Sequence, residues 1–180
     1  MSQRYIILDR DGTINIDSDD FVKSPEEWSP LPGSLEAIAL LKHHGFKVVV
    51  ISNQSGIARG LFDLATLEAI HAKMRRMANE AGGDIDSLYF CPHGPDDHCD
   101  CRKPKDGLFR RFAADTLADL RDVYAVGDSL RDLEAAESAG AKPILVKTGK
   151  GAKTALNHPE LTCPVFDNLY DAANFIVSQS

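Results

Sequence analysis

Tyr5-Ile6-Ile7-Leu8-Asp9-Arg10-Asp11-Gly12-Thr13 is an apolar run that stops at two carboxylates one residue apart, followed by a glycine and a hydroxyl. Four consecutive apolar residues suit a central strand of a parallel sheet, covered on both faces. The crevice beyond the carboxyl ends of such strands is where ligands bind, which puts Asp9 and Asp11 at its edge. Alternation along an extended chain points residues i and i+2 the same way. Two carboxylates sharing one site raise each other's proton affinity unless a cation intervenes, so the pair predicts a divalent metal. One carboxylate can then act as nucleophile and the other as acid and base, as aspartyl-phosphate chemistry requires.

The rest of the chain repeats this pattern. Asn15 to Pro32 is polar, carries Asp17, Asp19 and Asp20, and lacks a sustained period, which predicts a loop flanking the site. A helix follows from a Ser34 cap to Gly45, with Leu35, Ile38 and Leu41 at helical spacing. The β-branched run Phe46 to Ile51 predicts a second strand, ending at Ser52-Asn53-Gln54-Ser55-Gly56. Asp63 opens a long helix in which Leu64, Leu67, Ile70, Met74, Met77 and Ala81 recur, so the methionines and His71 read as core and helix-face residues. Leu88 to Phe90, Val123 to Val126 and Pro143 to Val146 complete the strands, with Val165-Phe166 before the last helix. Helices capped by Asp106, and from Leu130 to Ala139 and about Leu169 to Val177, alternate with them. The expectation is an α/β, doubly wound, mostly parallel sheet over residues 1–180 as one domain. One helix fills the segment from Arg59 to Asp86, leaving no inserted cap domain.

The chain has 180 residues, a hydrophobic fraction of 43% and 26% charged residues, which is ordinary for one globular domain. No apolar segment approaches the span of a membrane helix, and the run behind Arg4 is too brief for a secretory signal. A cytoplasmic monomer without a membrane partner is expected. The formal net charge of -7 argues against a nucleic-acid surface, which demands a basic footprint. Any phosphate must instead meet a local cluster of cations.

Cys91, Cys99 and Cys101 lie close together with His93 and His98, while Cys163 stands apart and reads as a buried small hydrophobe. Disulfides are unlikely in a reducing compartment, and any pairing within the cluster leaves a neighbour alone. Cys91, His93, Cys99 and Cys101 supply three thiolates and one imidazole, a closed tetrahedral set that suits structural Zn²⁺. His98 is an alternative nitrogen ligand, but its adjacency to Cys99 makes the reach awkward. Arg102 and Lys103 come directly after Cys101, so the metal would pin both cations at the pocket's rim.

Strand ends and their loops thus supply Asp9 and Asp11, Ser52 and Asn53, Lys103 and Asp128, all on one edge of a parallel sheet. Asp9, Asp11 and Asp128 make an oxygen-rich pocket that suits Mg²⁺. Ser52, the backbone donors beside Asn53, and Lys103 would meet phosphoryl oxygens. A receiver-type signalling domain also collects acids at a sheet edge. It has no use for the Cys/His loop, however, and the second strand here ends in Ser52-Asn53.

Asp9-Arg10-Asp11-Gly12-Thr13, Ser52-Asn53, Lys103 and Gly127-Asp128 together resemble the haloacid dehalogenase superfamily of phosphohydrolases. The resemblance implies that Asp9 attacks phosphorus and that Asp11 protonates the leaving oxygen and later activates water. It also implies Mg²⁺ held by Asp9, the Asp11 carbonyl and Asp128, with Ser52 and Lys103 stabilising the transferred phosphoryl. Within the superfamily, Ser52-Asn53-Gln54-Ser55-Gly56-Ile57-Ala58-Arg59-Gly60 and the Cys91 to Pro104 segment are similar to the heptose bisphosphate phosphatase branch. Histidinol-phosphate phosphatases share the second segment, so the first discriminates. The implied substrate is a small sugar bisphosphate cleaved at its 7-phosphate. Specificity is expected from Asp17 and Asp20, from Asn53, Gln54, Ser55 and Arg59, and from Arg102 as first candidate for the remote phosphate.

Overall fold

The computed structural model describes residues 2–179. Among the described residues there are six strands: β1 (Arg4–Leu8), β2 (Phe46–Asn53), β3 (Ser87–Cys91), β4 (Tyr124–Gly127), β5 (Lys142–Val146) and β6 (Val165–Phe166). They pair in parallel as one sheet in the order β3-β2-β1-β4-β5-β6. β1 is central, with Ile6 opposite Val48 on one side and Tyr124 on the other. The chain winds outward from β1 through β2 and β3, then returns to β4 on the opposite side. The switch point therefore falls between β1 and β4, and opens a crevice beyond their carboxyl ends.

Alternation along the strands divides the core into two layers. Ile6, Leu8, Val48, Val50 and Val126 pack on one face against α1 (Ser34–His43), α2 (Leu64–Glu80) and α6 (Leu169–Ser178). Ile7, Val49 and Ile51 pack on the other against Leu108, Phe109 and Phe112 of α3 (Gly107–Thr116) and Ala135 and Ala136 of α4 (Leu130–Ala139). Between β2 and β3 stand only a turn and α2, so nothing roofs the crevice from that segment.

Two local expectations are corrected and two details are added. Ser34 does not cap α1: Gly33, at φ 80°, takes the N-cap position, and Ser34 is the buried first residue of the helix. Asp106 occupies the N-cap of α3 without a capping hydrogen bond, because its carboxylate pairs with Arg110 and accepts from Ser138 Oγ. A further helix, α5 (Gly151–Asn157), follows β5. The segment after β1 holds a short 3₁₀ turn at Pro25–Glu27 and is anchored by buried Ile14, Val22 and Trp28. These anchors insert one at a time, which is why the segment shows no period.

Candidate active site

Asp9 follows the last residue of β1, and its backbone N–H donates to Val126 O at 2.9 Å, so the β1–β4 pairing extends to the carboxylate. Lys103 enters from the loop after β3 and is nearly fully buried. Its Nζ lies 3.0 Å from Asp9 Oδ1, 2.8 Å from Asp132 Oδ1 and 2.7 Å from Ile51 O. A buried ammonium persists only when paired and hydrogen-bonded. Here those partners outweigh burial and raise its proton affinity. Burial works to raise the Asp132 carboxyl, but Lys103 holds it down at about 2.

Asp132 is the member of the site that the sequence reading missed. Its carboxylate accepts from Ser129 Oγ at 2.8 Å and from the Ser129 and Asp128 N–H groups at 3.1 and 3.2 Å. The signal was present as Ser-x-x-Asp at 129–132, a capping box at the start of α4. Asp9, Asp128 and Asp132 each place a carboxylate oxygen within 4.8 Å of the other two. The third acid of this cluster is therefore Asp132 and not the Asp11 side chain. β1 ends at Leu8, so the strand alternation that would have aligned Asp9 with Asp11 stops before it reaches them.

Asp11 instead turns its Oδ1 to Arg10 Nε and Nη2 (3.1 and 2.9 Å) and to Asn15 Nδ2 (2.9 Å). Its Oδ2 accepts from Gln54 Nε2 at 3.2 Å. Burial works to raise this carboxyl, yet the Arg10 charge and these donors hold it below its ordinary value. Arg10 is fully buried, and its Nη1 donates to His71 Nε2 at 3.1 Å. Burial, then the Arg10 charge, push His71 down to about 3, so it stands as a neutral acceptor on α2.

The same burial acts on the acid cluster with the opposite sign. Asp9 is pushed up to about 7 by burial, then by the Asp132 charge. Asp128 is pushed up to about 9 by burial, then by Asp9 and Asp132. These are carboxylates short of positive charge, and that deficit with the all-oxygen donor set fits a hard divalent cation. The backbone leaves room for Asp128: Gly12 and Gly149, at φ 82° and 55°, would each drive a Cβ into its Oδ2. Lys150 N–H donates to that oxygen at 2.8 Å.

These residues open into a cleft of about 180 Å³ lined by Asp9, Asp11, Asp128 and Lys103 on its floor. Of the other candidates, Asp17, Asn53, Gln54, Ser55, Arg59 and Arg102 line it. Asp20 does not, and Asp19 and Ser18 stand there instead, because the exposed turn carries Asp20 outward. Ser52 lies beneath the cleft surface, accepting from Gln54 Nε2 at 2.7 Å. Asn53 clamps the Lys103 peptide from both sides, accepting its N–H at 2.9 Å and donating to its carbonyl at 3.2 Å. Arg131 and Lys150 complete the wall and were missed. Burial, then the Arg131 charge, lower the Arg102 proton affinity.

Beside the cleft, Cys91, His93, Cys99 and Cys101 bring three Sγ atoms and an imidazole nitrogen within 4.8 Å of one another. His93 Nδ1 lies 3.2 Å from Cys101 Sγ and 3.4 Å from Cys91 Sγ. His98, at φ 54°, is outside this group. Four soft and borderline donors converging in this way fit a tetrahedral metal. Cys163 lies apart and is half-buried rather than buried. Among the described residues no helix is long and apolar enough to cross a membrane.

A HAD-hydrolase-like family model matches residues 100–172. The D-glycero-beta-D-manno-heptose-1,7-bisphosphate 7-phosphatase of Pseudomonas aeruginosa is 51% identical over 98% of this chain and 99% of its own. The Bordetella bronchiseptica enzyme of the same name is 60% identical over 84% of each chain. A crystal structure of D,D-heptose 1,7-bisphosphate phosphatase from B. bronchiseptica, complexed with magnesium and phosphate, superposes with a TM-score of 0.93 at 52% identity, covering 98% of this chain and 99% of that one. With its parallel sheet, its acids at the switch point and relatives of this identity over nearly its full length, the chain belongs to the D-glycero-beta-D-manno-heptose-1,7-bisphosphate 7-phosphatase family of HAD-like hydrolases.

Proposed function

We propose that this phosphatase removes the 7-phosphate of D-glycero-beta-D-manno-heptose 1,7-bisphosphate through an aspartyl-phosphate on Asp9. Asp9 attacks phosphorus, forming a new P–O bond as the ester P–O bond breaks. Asp11 gives the leaving sugar oxygen its proton, then takes one from the water that attacks the aspartyl-phosphate, releasing inorganic phosphate and restoring the Asp9 carboxylate. Oδ1 of Asp11 already accepts from three donors, so Oδ2 is the oxygen left to carry that proton. The resting Asp11 is held ionised; the charge of the arriving phosphate raises its proton affinity, so that it takes up a proton from solvent before the first step. Lys103 balances charge on the transferred phosphoryl, and Asp132 keeps it aimed at Asp9.

Asp9, Asp128 and the Asp11 carbonyl would hold Mg²⁺, which when bound offsets the charge of the phosphoryl oxygens. Cys91, His93, Cys99 and Cys101 would hold a structural Zn²⁺ with no position open to substrate. Its thiolates suit a reducing compartment, which supports a cytoplasmic enzyme.

The observation that carries this reading is the buried Lys103 ammonium, 3.0 Å from Asp9 at the floor of a cleft in which Asp128 has no ion-pair partner among the described residues. Phosphate release across heptose 1,7-bisphosphate, sugar monophosphates and histidinol phosphate tests it. The bisphosphate should show the highest kcat/KM. Equal or faster turnover of histidinol phosphate would overturn the substrate assignment.

A further inference from the structure

We infer that Arg131, in the first turn of α4, binds the phosphate of the substrate that does not react, completing a three-arginine pocket with Arg59 and Arg102. The inference rests on the sugar-bisphosphate reading and names the residue that enforces it. Such a substrate carries two anions, and the floor at Asp9 and Lys103 accommodates one of them. The other needs donors on the wall of the same cleft, where Arg59, Arg102 and Arg131 stand.

Arg10, Arg76, Arg110 and Arg121 each pair with a carboxylate, whereas Arg4, Arg75 and Arg111, away from the cleft, do not. None of the three cleft arginines has one within ion-pair distance among the described residues. Two of them are already positioned. Arg102 Nη1 lies 3.5 Å from His93 O in the Cys/His loop. Arg59 Nε lies 3.5 Å from Ser55 Oγ, with its guanidinium 5.5 Å from the centre of the Phe21 ring. Arg131 makes no hydrogen bond or ion pair with any described residue, and its charge is felt by Arg102 and by Asp132 beside it. A guanidinium fork in that state is free to pair with phosphate oxygens, and the three positive charges favour a dianion.

The opposite end of the cleft is the competing location. There a neighbouring groove holds Lys150, Lys153 and His158, but Asp17 and Asp19 line it as well. Lys150 Nζ lies 3.9 Å from Asp17, and His158 Nδ1 lies 3.1 Å from Glu160. That end balances its own charge, while the arginine end does not. Asp17 and Asp19, as acceptors, suit sugar hydroxyls rather than a second phosphate.

The test compares kcat/KM for heptose 1,7-bisphosphate and heptose 7-phosphate, using the metal-loaded full chain. Loss of one charge-assisted phosphate contact corresponds to roughly a tenfold effect or more. Arg131→Ala should therefore lower kcat/KM for the bisphosphate by about that factor and leave the monophosphate within about twofold. Arg131→Lys should recover part of the loss, Arg131→Glu should deepen it, and Lys153→Ala should change neither substrate. Arg131 is exposed, so these variants should melt with the wild type. If the wild-type enzyme does not prefer the bisphosphate, the substrate reading itself fails. If it does, and Arg131→Ala affects both substrates equally or neither, or Lys153→Ala produces the selective loss instead, the inference fails.

Discussion

Asp9 and Asp11 stand two residues apart and are tuned in opposite directions. Asp9, buried and crowded by Asp132, is raised to about 7 despite Lys103, whereas Asp11 is held low by Arg10, Asn15 and Gln54. On the proposed mechanism the nucleophile depends on added positive charge to stay ionised, and the acid–base group takes up a solvent proton when the phosphate's charge arrives. Asp9→Asn keeps the shape and removes the attacking oxygen's charge. It should leave less than about a hundredth of the wild-type kcat in a chain that still folds. Behind Asp11, His71 accepts from the fully buried Arg10 only when neutral. Its folded pKa of about 3 lies below the ordinary 6.5, so the unfolded chain binds the extra proton between those values. That contribution is fully present above pH 6.5 and is lost as pH falls toward about 3. Urea midpoints across this window should show the slope, and His71→Gln should flatten it.

At the scale of elements, the Cys/His loop and the first turn of α4 deliver the two ends of the Lys103–Asp132 pair. The loop runs from the last residue of β3 directly into Arg102 and Lys103, so its rigidity sets where both cations point. Elemental analysis should find about one zinc per chain. Cys101→Ser should abolish it and lower kcat, and added Mg²⁺ should restore neither.

β1 and β2 were legible because their apolar runs are buried on both faces and end at polar groups, Asp9 and Ser52-Asn53. The Cys/His set was legible because four ligands crowd a short segment. Asp132 was passed over because an acid one turn into a helix ordinarily faces solvent, and only the fold shows Lys103 arriving against it. α5 has seven residues with Leu156 exposed, too short to establish a period. Arg131 and Lys150 looked like ordinary surface charges because a cleft wall is assembled from segments distant in sequence. Asn53 and Gln54 line the cleft as expected, with their amides also engaged with the Lys103 backbone and with Asp11.

At the scale of the whole molecule, the sheet's switch point gathers acids whose mutual repulsion opposes folding. Asp9 and Asp128 have folded pKa values of about 7 and about 9, above the ordinary 3.8. The folded chain therefore holds protons that the unfolded chain has released, and stability falls as pH rises through this range. Mg²⁺ should raise the melting temperature more at pH 8.5 than at pH 6, because the cation relieves a repulsion that grows with ionisation. An equal shift at both pH values would argue that the ion binds elsewhere. The central claim, that Asp9 becomes phosphorylated, is tested most directly by the stereochemical course at phosphorus. A substrate bearing an isotopically chiral thiophosphoryl group at the 7-position would be hydrolysed in isotopically labelled water. Two in-line displacements, first by Asp9 and then by water, predict net retention of configuration. Net inversion would mean that water attacks the substrate directly, and would contradict the account.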